Sequence, residues 1–443
     1  VLIEFTVGNY RSFKDKMTLS MLAANISSKP AELDTQNVFR AGRGHTLLKS
    51  AAIYGANASG KSNLVQALQF FRVFVLTSSR ESQATEHIPV EAFRLNTETA
   101  GQPSFFEAVF LIEDNQYRYG FAVTDERVVA EWLWQLGKAR EKRLFERDEQ
   151  KIEVTTSNFK EGKALEERTR PNALFLSVVA QFNGSIATSI LRWLTRLVVN
   201  TGVDDRIELL QAINTFEESA YRVDIEQLLR RFDVGIEGFA VEHLPLAIPK
   251  NLPKELAELI ENMQASANPM QQSIQTFHNR YNAQGKVEDQ IAFDLQEHES
   301  AGTQRLFALA APLLRSLRNG TILVVDEFDA RVHPNLVVEL IRLFNSNATN
   351  PAGAQLILTT HNTNLLSAGL FRRDQIWFVE KTRRGASDLY SLVEYRMPDN
   401  KSVRNDASFE KDYILGRYGA IPFIGSIDEL LRAGIEQTSQ QWQ

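Results

Sequence analysis

Eight consecutive residues constrain this chain more than any others. Gly55-Ala56-Asn57-Ala58-Ser59-Gly60-Lys61-Ser62 fits G-x-x-x-x-G-K-[ST], the loop that wraps the phosphates of a nucleoside triphosphate. Such a loop works between a strand and a helix, and both neighbours are predicted. Ser50-Ala51-Ala52-Ile53-Tyr54 reads as a short buried strand, and Asn63-Leu64-Val65-Gln66-Ala67-Leu68 as a helix opening just after the loop. The glycines let backbone N–H groups turn toward the phosphates, and the helix points its positive end at them. Lys61 is expected to reach the β- and γ-phosphates and Ser62 to hold Mg2+. Gly55, Asn57, Ala58, Ser59, Gly60 and Asn63 complete the expected nucleotide contacts.

Three further segments supply the rest of an ATP-hydrolysing site. Thr321-Ile322-Leu323-Val324-Val325-Asp326-Glu327 is an apolar strand ending in two acids. In a triphosphatase core the first acid orients the metal shell and the second polarises the attacking water. Asp326 is therefore the metal candidate and Glu327 the general base. Ser300-Ala301-Gly302-Thr303-Gln304 precedes a strongly helical run, so a small Ser-x-Gly turn at a helix start offers a second anion site; the same residues would also make a plain helix cap. Gln355-Leu356-Ile357-Leu358-Thr359-Thr360-His361 is another buried strand. His361 at its end suits a hydrogen bond to the γ-phosphate and the attacking water, although a histidine there also serves an ordinary structural role.

The 443 residues are 43% hydrophobic and 23% charged, enough for two or more lobes with cores of their own. There is no cysteine, which excludes disulfides and cysteine-based metal or redox sites and fits a reducing cytosol. No apolar run is long enough to span a membrane, so a cytoplasmic location is expected. The formal net charge of −6 argues against a bulk binder of polyanions.

Along the chain, residues 1–20 read as two strands joined near Gly8-Asn9-Tyr10-Arg11. Residues from about 88 to 155 read as an antiparallel sheet rich in aromatic residues. Residues 185–280 are expected to be mostly helical, from the spacing in Ile190-Leu191-Arg192-Trp193-Leu194 and Ile225-Glu226-Gln227-Leu228-Leu229, with breaks at Pro249 and Pro253. Strands return from about 287, and the Gln-rich end reads as a frayed tail. No heptad is sustained.

The ordered set Gly55 to Ser62, Ser300-x-Gly302, Asp326-Glu327, Asp329 and His361 resembles the ABC-type ATPase head of the Rad50, RecF and structural-maintenance families. The opening Leu2-Ile3-Glu4-Phe5 and Asn9-Tyr10-Arg11-Ser12-Phe13 look like their N-terminal strand motif, which implies a basic residue, Arg11, near the nucleotide. Ala92-Phe93-Arg94-Leu95, Tyr117-Arg118-Tyr119-Gly120-Phe121, Gln375-Ile376-Trp377-Phe378-Val379-Glu380-Lys381 and Gly416-Arg417-Tyr418-Gly419-Ala420-Ile421-Pro422 add a closer resemblance to the stand-alone bacterial AAA15/AAA21 ATPases, which include the RloA/AbiLi proteins and the ATPase of the PARIS anti-phage system.

This resemblance implies an α/β fold: an ABC-type ATPase head with an antiparallel sheet in lobe I, a helical insertion and no long coiled coil. The implied domains are 1–180 for lobe I, 181–286 for the insertion and 287–443 for lobe II. It implies ATP and Mg2+ as cofactors, Gln181, after the strand-like Ala173-Leu174-Phe175-Leu176-Ser177, as the glutamine linking the lobes, and Asp329 beside the nucleotide. Ser300 and Gly302 would act across a homodimer or higher homo-oligomer. The implied role is an ATP-hydrolysing sensor or scaffold in abortive infection. It would answer a phage-derived trigger and control a co-encoded effector such as a nuclease. The alternative is a RecF-like repair ATPase that binds DNA itself.

Overall fold

The computed structural model describes residues 1–422 apart from 43, 81–82, 84–85, 138–139, 203–204, 233–234, 246–269 and 398–399. The chain opens with β1 (Leu2–Gly8), β2 (Met17–Ser20), α1 (Leu33–Gln36), β3 (Val38–Ala41) and β4 (His45–Leu48). β5 (Ser50–Tyr54) and α2 (Lys61–Thr77) bracket the phosphate loop. Then come β6 (Ser104–Ile112), β7 (Asn115–Val123), β8 (Val128–Leu136), β9 (Glu141–Asp148) and β10 (Lys151–Val154). α3 (Phe175–Gln181), α4 (Ser185–Thr195), β11 (Leu197–Asn200), α5 (Asp205–Glu217) and α6 (Ser219–Arg231) lead into β12 (Gly238–Pro245), β13 (Met270–Tyr281) and β14 (Val287–Asp294). The last third holds α7 (Leu295–His298), α8 (Ala301–Asn319), β15 (Ile322–Val325), α9 (Pro334–Asn345), β16 (Gln355–Thr359), α10 (Asn364–Ser367), β17 (Ile376–Lys381), β18 (Ser387–Ser391) and α11 (Phe409–Ile414).

Two large sheets organise these elements. One is antiparallel, in the order β10-β9-β8-β7-β6-β1-β2. Its strands alternate as a half-buried surface requires: Phe106, Ala108 and Phe110 face inward while Phe105, Glu107 and Val109 are less covered. The other sheet runs β11-β15-β16-β5-β17-β18, and only its β17–β18 pair is antiparallel. β5, β15 and β16 are buried along their whole length, and none of them carries a charged residue.

α2 lies between the two sheets. Leu64, Leu68, Phe71 and Val75 share one core with Phe5, Phe106 and Phe121 of the antiparallel sheet and with Ala51, Ile53, Val324 and Ile357 of the parallel one. The opposite face of the parallel sheet, through Ala52, Tyr54, Leu323, Val325, Leu356 and Leu358, packs under α5, α6, α8 and α9. Because side chains alternate along a strand, each central strand feeds both cores.

The expected helical insertion over 181–286 is corrected. α4, α5 and α6 are helices, but β11 joins the parallel sheet and β12, β13 and β14 form a separate antiparallel sheet. The period of 3.6 at Ile190–Leu194 and Ile225–Leu229 belongs to those helices and does not extend to β13, where Ile274 and Thr276 recur at period 2 and are buried. A boundary at 286 also cuts the hairpin in which β14 pairs with β13. Pro249, Pro253 and the Gln-rich tail lie outside the described residues. Ala173-Leu174-Phe175-Leu176-Ser177, expected as a strand, instead starts α3. The cause is Glu131 on β8: its buried carboxylate accepts the Phe175 and Leu176 N–H groups at 2.6 and 3.0 Å and so caps a helix there. Among the described residues no helix is long and apolar enough to cross a membrane, and the longest, α8, has 19 residues, far short of a coiled-coil arm.

Candidate active site

The phosphate loop leaves β5 and turns into α2 at Gly60, which has φ 118°. A Cβ there would come within 2.4 Å of Ser387 Oγ and 2.7 Å of Ser12 Oγ, so glycine is required by both backbone and space. The loop is held from two sides. Ser387 of β18 donates its hydroxyl to the Ser59 carbonyl and its N–H to the Ser12 carbonyl. Asn63 Nδ2 donates to Ser12 Oγ at 2.7 Å.

Lys61 is buried, and its Nζ donates to the carbonyls of Gly55 and Ala56 at 2.9 and 3.0 Å. Two of its three N–H groups are thus used on its own loop, and phosphate oxygens are natural competitors for them. Burial lowers its affinity for a proton, against the pull of Asp326, Glu327 and Asp329. Ser59 Oγ is buried beside it without a hydrogen-bond partner. A cradle that excludes a Cβ, a buried cation and an unsatisfied hydroxyl fit a bound triphosphate.

Asp326 and Glu327 stand at the end of β15. The Asp326 N–H donates to the Asn200 carbonyl of β11. Thr359 of β16 donates its hydroxyl to Asp326 Oδ1 at 2.5 Å and accepts the Glu327 N–H at 2.8 Å. Glu327 has φ 48°, a left-handed conformation that is strained for a side chain of this size, and it is exposed. The chain therefore kinks at the candidate base, leaving Asp326 buried and Glu327 facing out. Among the described residues no three His, Cys, Asp or Glu side chains group to hold a metal. One carboxylate, Asp326, with the Ser62 hydroxyl suits Mg2+, which keeps waters and takes phosphate oxygens as ligands.

His361 follows β16. Burial and the Lys61 cation push its pKa below the ordinary histidine value, while Asp329, Glu327 and Asp326 act in the other direction. The same three acids, Asp326, Glu327 and Asp329, thus act on both Lys61 and His361. Arg11 lies in the turn that buttresses the loop through Ser12, and its guanidinium pairs with Glu91 at 3.2 Å. Ser300 is the N-cap of α8, its hydroxyl accepting the Thr303 N–H. Gly302 packs on the Arg331 carbonyl, where a Cβ would sit 2.7 Å away. Neither hydrogen-bonds to the chain's own phosphate loop among the described residues.

Gln181 is not brought to the site. It is exposed at the end of α3, whose start is tied to the far end of α2 through Ser78 and Ser79. With 17 residues at 1.5 Å each, α2 places that junction roughly 25 Å from the loop. The segment that does reach Asp326 from the neighbouring strand is Asn200. Thr359, Ser387 and Ser12 are further supports that sequence reading missed, as is buried Arg305 of α8, which reaches the Asp326 carbonyl at 3.5 Å and pairs with Glu208. Only Thr359, a hydroxyl ending a buried apolar strand, carried any signal.

Residues 50–367 match the sequence pattern of the family described as "AAA domain, putative AbiEii toxin, Type IV TA system". This chain belongs to that family. The AAA-domain match takes in the phosphate loop, Ser300, Gly302, Asp326, Glu327, Asp329 and His361, and leaves Arg11 outside. Among solved structures, the chain is similar to the SMC head domain from Thermotoga maritima, with 16% identity, 88% of this chain and 98% of that one covered, and a TM-score of 0.38. It is also similar to the recombination mediator protein RecF-ATP of the RecFOR pathway, with 15% identity, coverage of 88% and 97%, and a TM-score of 0.30. No curated protein matches the sequence. The architecture of this AAA-domain chain is α/β.

Proposed function

We propose that this chain hydrolyses ATP with Mg2+ and serves as the sensor or scaffold subunit of a bacterial anti-phage system of the RloA/AbiLi or PARIS kind. What carries the reading is the convergence of Lys61 with Asp326, Glu327, Asp329 and His361 beside a glycine-walled loop. Lys61 exchanges its two loop carbonyls for β- and γ-phosphate oxygens. Glu327 accepts a proton from the attacking water, and neutral His361 offers a hydrogen bond to the γ-phosphate. Ser62 and Asp326 would hold Mg2+, which would neutralise phosphate charge when bound. Ser300 and Gly302, which make no hydrogen bond to their own phosphate loop among the described residues, complete the site of a second copy, so ATP binding favours a head-to-head dimer. The family description names a toxin of a type IV toxin–antitoxin system. It supports a two-component arrangement in which the ATPase state controls a separate, co-encoded effector such as a nuclease, answering a phage-derived trigger.

Phosphate release by wild type, Lys61→Ala and Glu327→Gln tests the chemistry. Glu327→Gln should bind ATP and dimerise in light scattering, yet lose turnover by roughly 10²–10⁴-fold. Wild-type turnover by Glu327→Gln would remove the base assignment. Expression with and without the neighbouring genes tests the role: growth arrest by this chain alone would make it the toxin, and tight salt-sensitive DNA binding would favour the repair reading.

A further inference from the structure

Tyr54 ends β5, immediately before Gly55, and is fully buried. Its ring meets Tyr413 of α11 edge-on, with centroids 5.8 Å apart, and lies tilted against Phe378 of β17 at 6.2 Å. Its hydroxyl has no hydrogen-bond partner. Asp329 Oδ1 is also buried and without one. An unpaired buried donor and an unpaired buried acceptor are each costly, and joining them relieves both. The two belong together: after burial itself, the Asp329 carboxylate acts most strongly on the Tyr54 hydroxyl, ahead of Tyr413 and Glu410. Tyr413 is already committed, its hydroxyl donating to the Ala420 carbonyl at 3.2 Å. Asp329 sits in a turn flanked by left-handed residues, Glu327 with φ 48° and Arg331 with φ 63°. Small rotations at these ends re-aim its side chain.

Resting on the ATPase reading above, we propose that Tyr54 is a positioning residue: with nucleotide bound, its hydroxyl donates to the Asp329 carboxylate, directly or through one water, and locks the turn after Glu327 to the strand entering the phosphate loop. The physical drive is charge. Asp329 now shares the field of Lys61 and His361. A triphosphate arriving at Lys61 claims that cation, and Asp329 is left in need of another donor. The unpaired Tyr54 hydroxyl has a proton to give. The consequence reaches α11, because the Tyr54 ring is packed on Tyr413, and Tyr413 is tied to the Gly416–Ala420 turn.

Tyr54→Phe keeps the ring and removes the hydroxyl. Steady-state ATPase assays of Tyr54→Phe, Asp329→Asn, the double variant and Glu410→Gln test the link. Tyr54→Phe should lower kcat about tenfold with KM within about twofold, the double variant should be no slower than the slower single one, and Glu410→Gln should match wild type. Multiplying effects in the double variant, a wild-type kcat for Tyr54→Phe, or a Glu410→Gln that reproduces Tyr54→Phe would overturn the proposal. A second readout does not depend on turnover. Without nucleotide, Tyr54→Phe should melt at or above the wild-type temperature, since an unpaired buried hydroxyl is lost. The gain in melting temperature on adding ATP and Mg2+ should be smaller than in wild type. Equal gains would overturn the proposal even in an inactive protein, whereas absence of wild-type ATPase with unequal gains would count against the hydrolysis reading alone.

Discussion

Thr359→Val is the sharpest test of how the acidic pair is held. The substitution keeps shape and removes one oxygen. That oxygen donates to Asp326 Oδ1 at 2.5 Å and accepts the Glu327 N–H at 2.8 Å, in a pocket where Thr359 is fully buried. Loss of a hydrogen bond to a charged group costs about 1.5–3 kcal/mol, and a buried N–H left unpaired costs about 1–3 kcal/mol. Together they give about 2.5–6 kcal/mol, which for a cooperative unit of 443 residues lowers the melting temperature by roughly 3–6 °C. Activity should fall further than stability suggests, because the same oxygen sets the left-handed kink that aims Glu327. A displacement near 1 Å costs on the order of 100-fold in rate. The expectation is therefore a kcat about 100-fold lower with ATP affinity within about threefold of wild type, measured by phosphate release, calorimetry and thermal melting. Thr359→Ser, which restores the hydroxyl, should recover most of both losses. If Thr359→Val melted early but turned over at the wild-type rate, Thr359 would be a packing residue and the account of Glu327's aim would be wrong.

Two other expectations follow from buried or shifted groups. Glu131→Ala should destabilise the antiparallel lobe by about 3–5 kcal/mol. The buried carboxylate accepts hydrogen bonds from Phe175, Leu176 and Tyr119 and lies 4.0 Å from buried Arg147; unchanged urea unfolding would refute this. His361 has a pKa below its ordinary 6.5, so it is neutral at pH 7 and gains a proton only on acidification past that value. The unfolded chain protonates first, so this residue's effect on stability is a loss as pH falls through 6.5. The ATPase rate should be flat from pH 6.5 to 8 with a limb below 6.5 that disappears in His361→Gln; an inflection above 6.5 would contradict the assignment.

The parts of the fold that sequence made legible are those where local pattern and tertiary role agree. β5, β15 and β16 are buried on both faces, so their apolar runs and terminal Gly, Asp-Glu and His are readable in order. α3 failed because its helical start depends on Glu131, distant in sequence, whose carboxylate receives its first N–H groups. The same applies to β11: a four-residue Leu-Val-Val-Asn strand between helices shows its purpose only when paired with β15. Gln181 follows a segment that reads as a strand but folds as α3, so it stands at the end of a helix and not at a strand end beside the loop. Ser12 and Ser387 were invisible for a further reason. Each supports the loop through one hydroxyl, and serine carries no sequence pattern that announces such a contact.

α2 is gripped by aromatic and aliphatic side chains from both large sheets. A helix gripped on both sides has little freedom to slide alone, so a rotation of the phosphate loop is shared by the antiparallel sheet. From β2 to β10 that sheet spans six inter-strand gaps, roughly 29 Å at 4.8 Å per gap. At that radius a tilt of about 5° becomes a displacement of roughly 2.5 Å at the far edge. The sheet is thus a lever arm whose short end carries the loop, and an ångström-scale adjustment around a phosphate is magnified at strands far from any nucleotide.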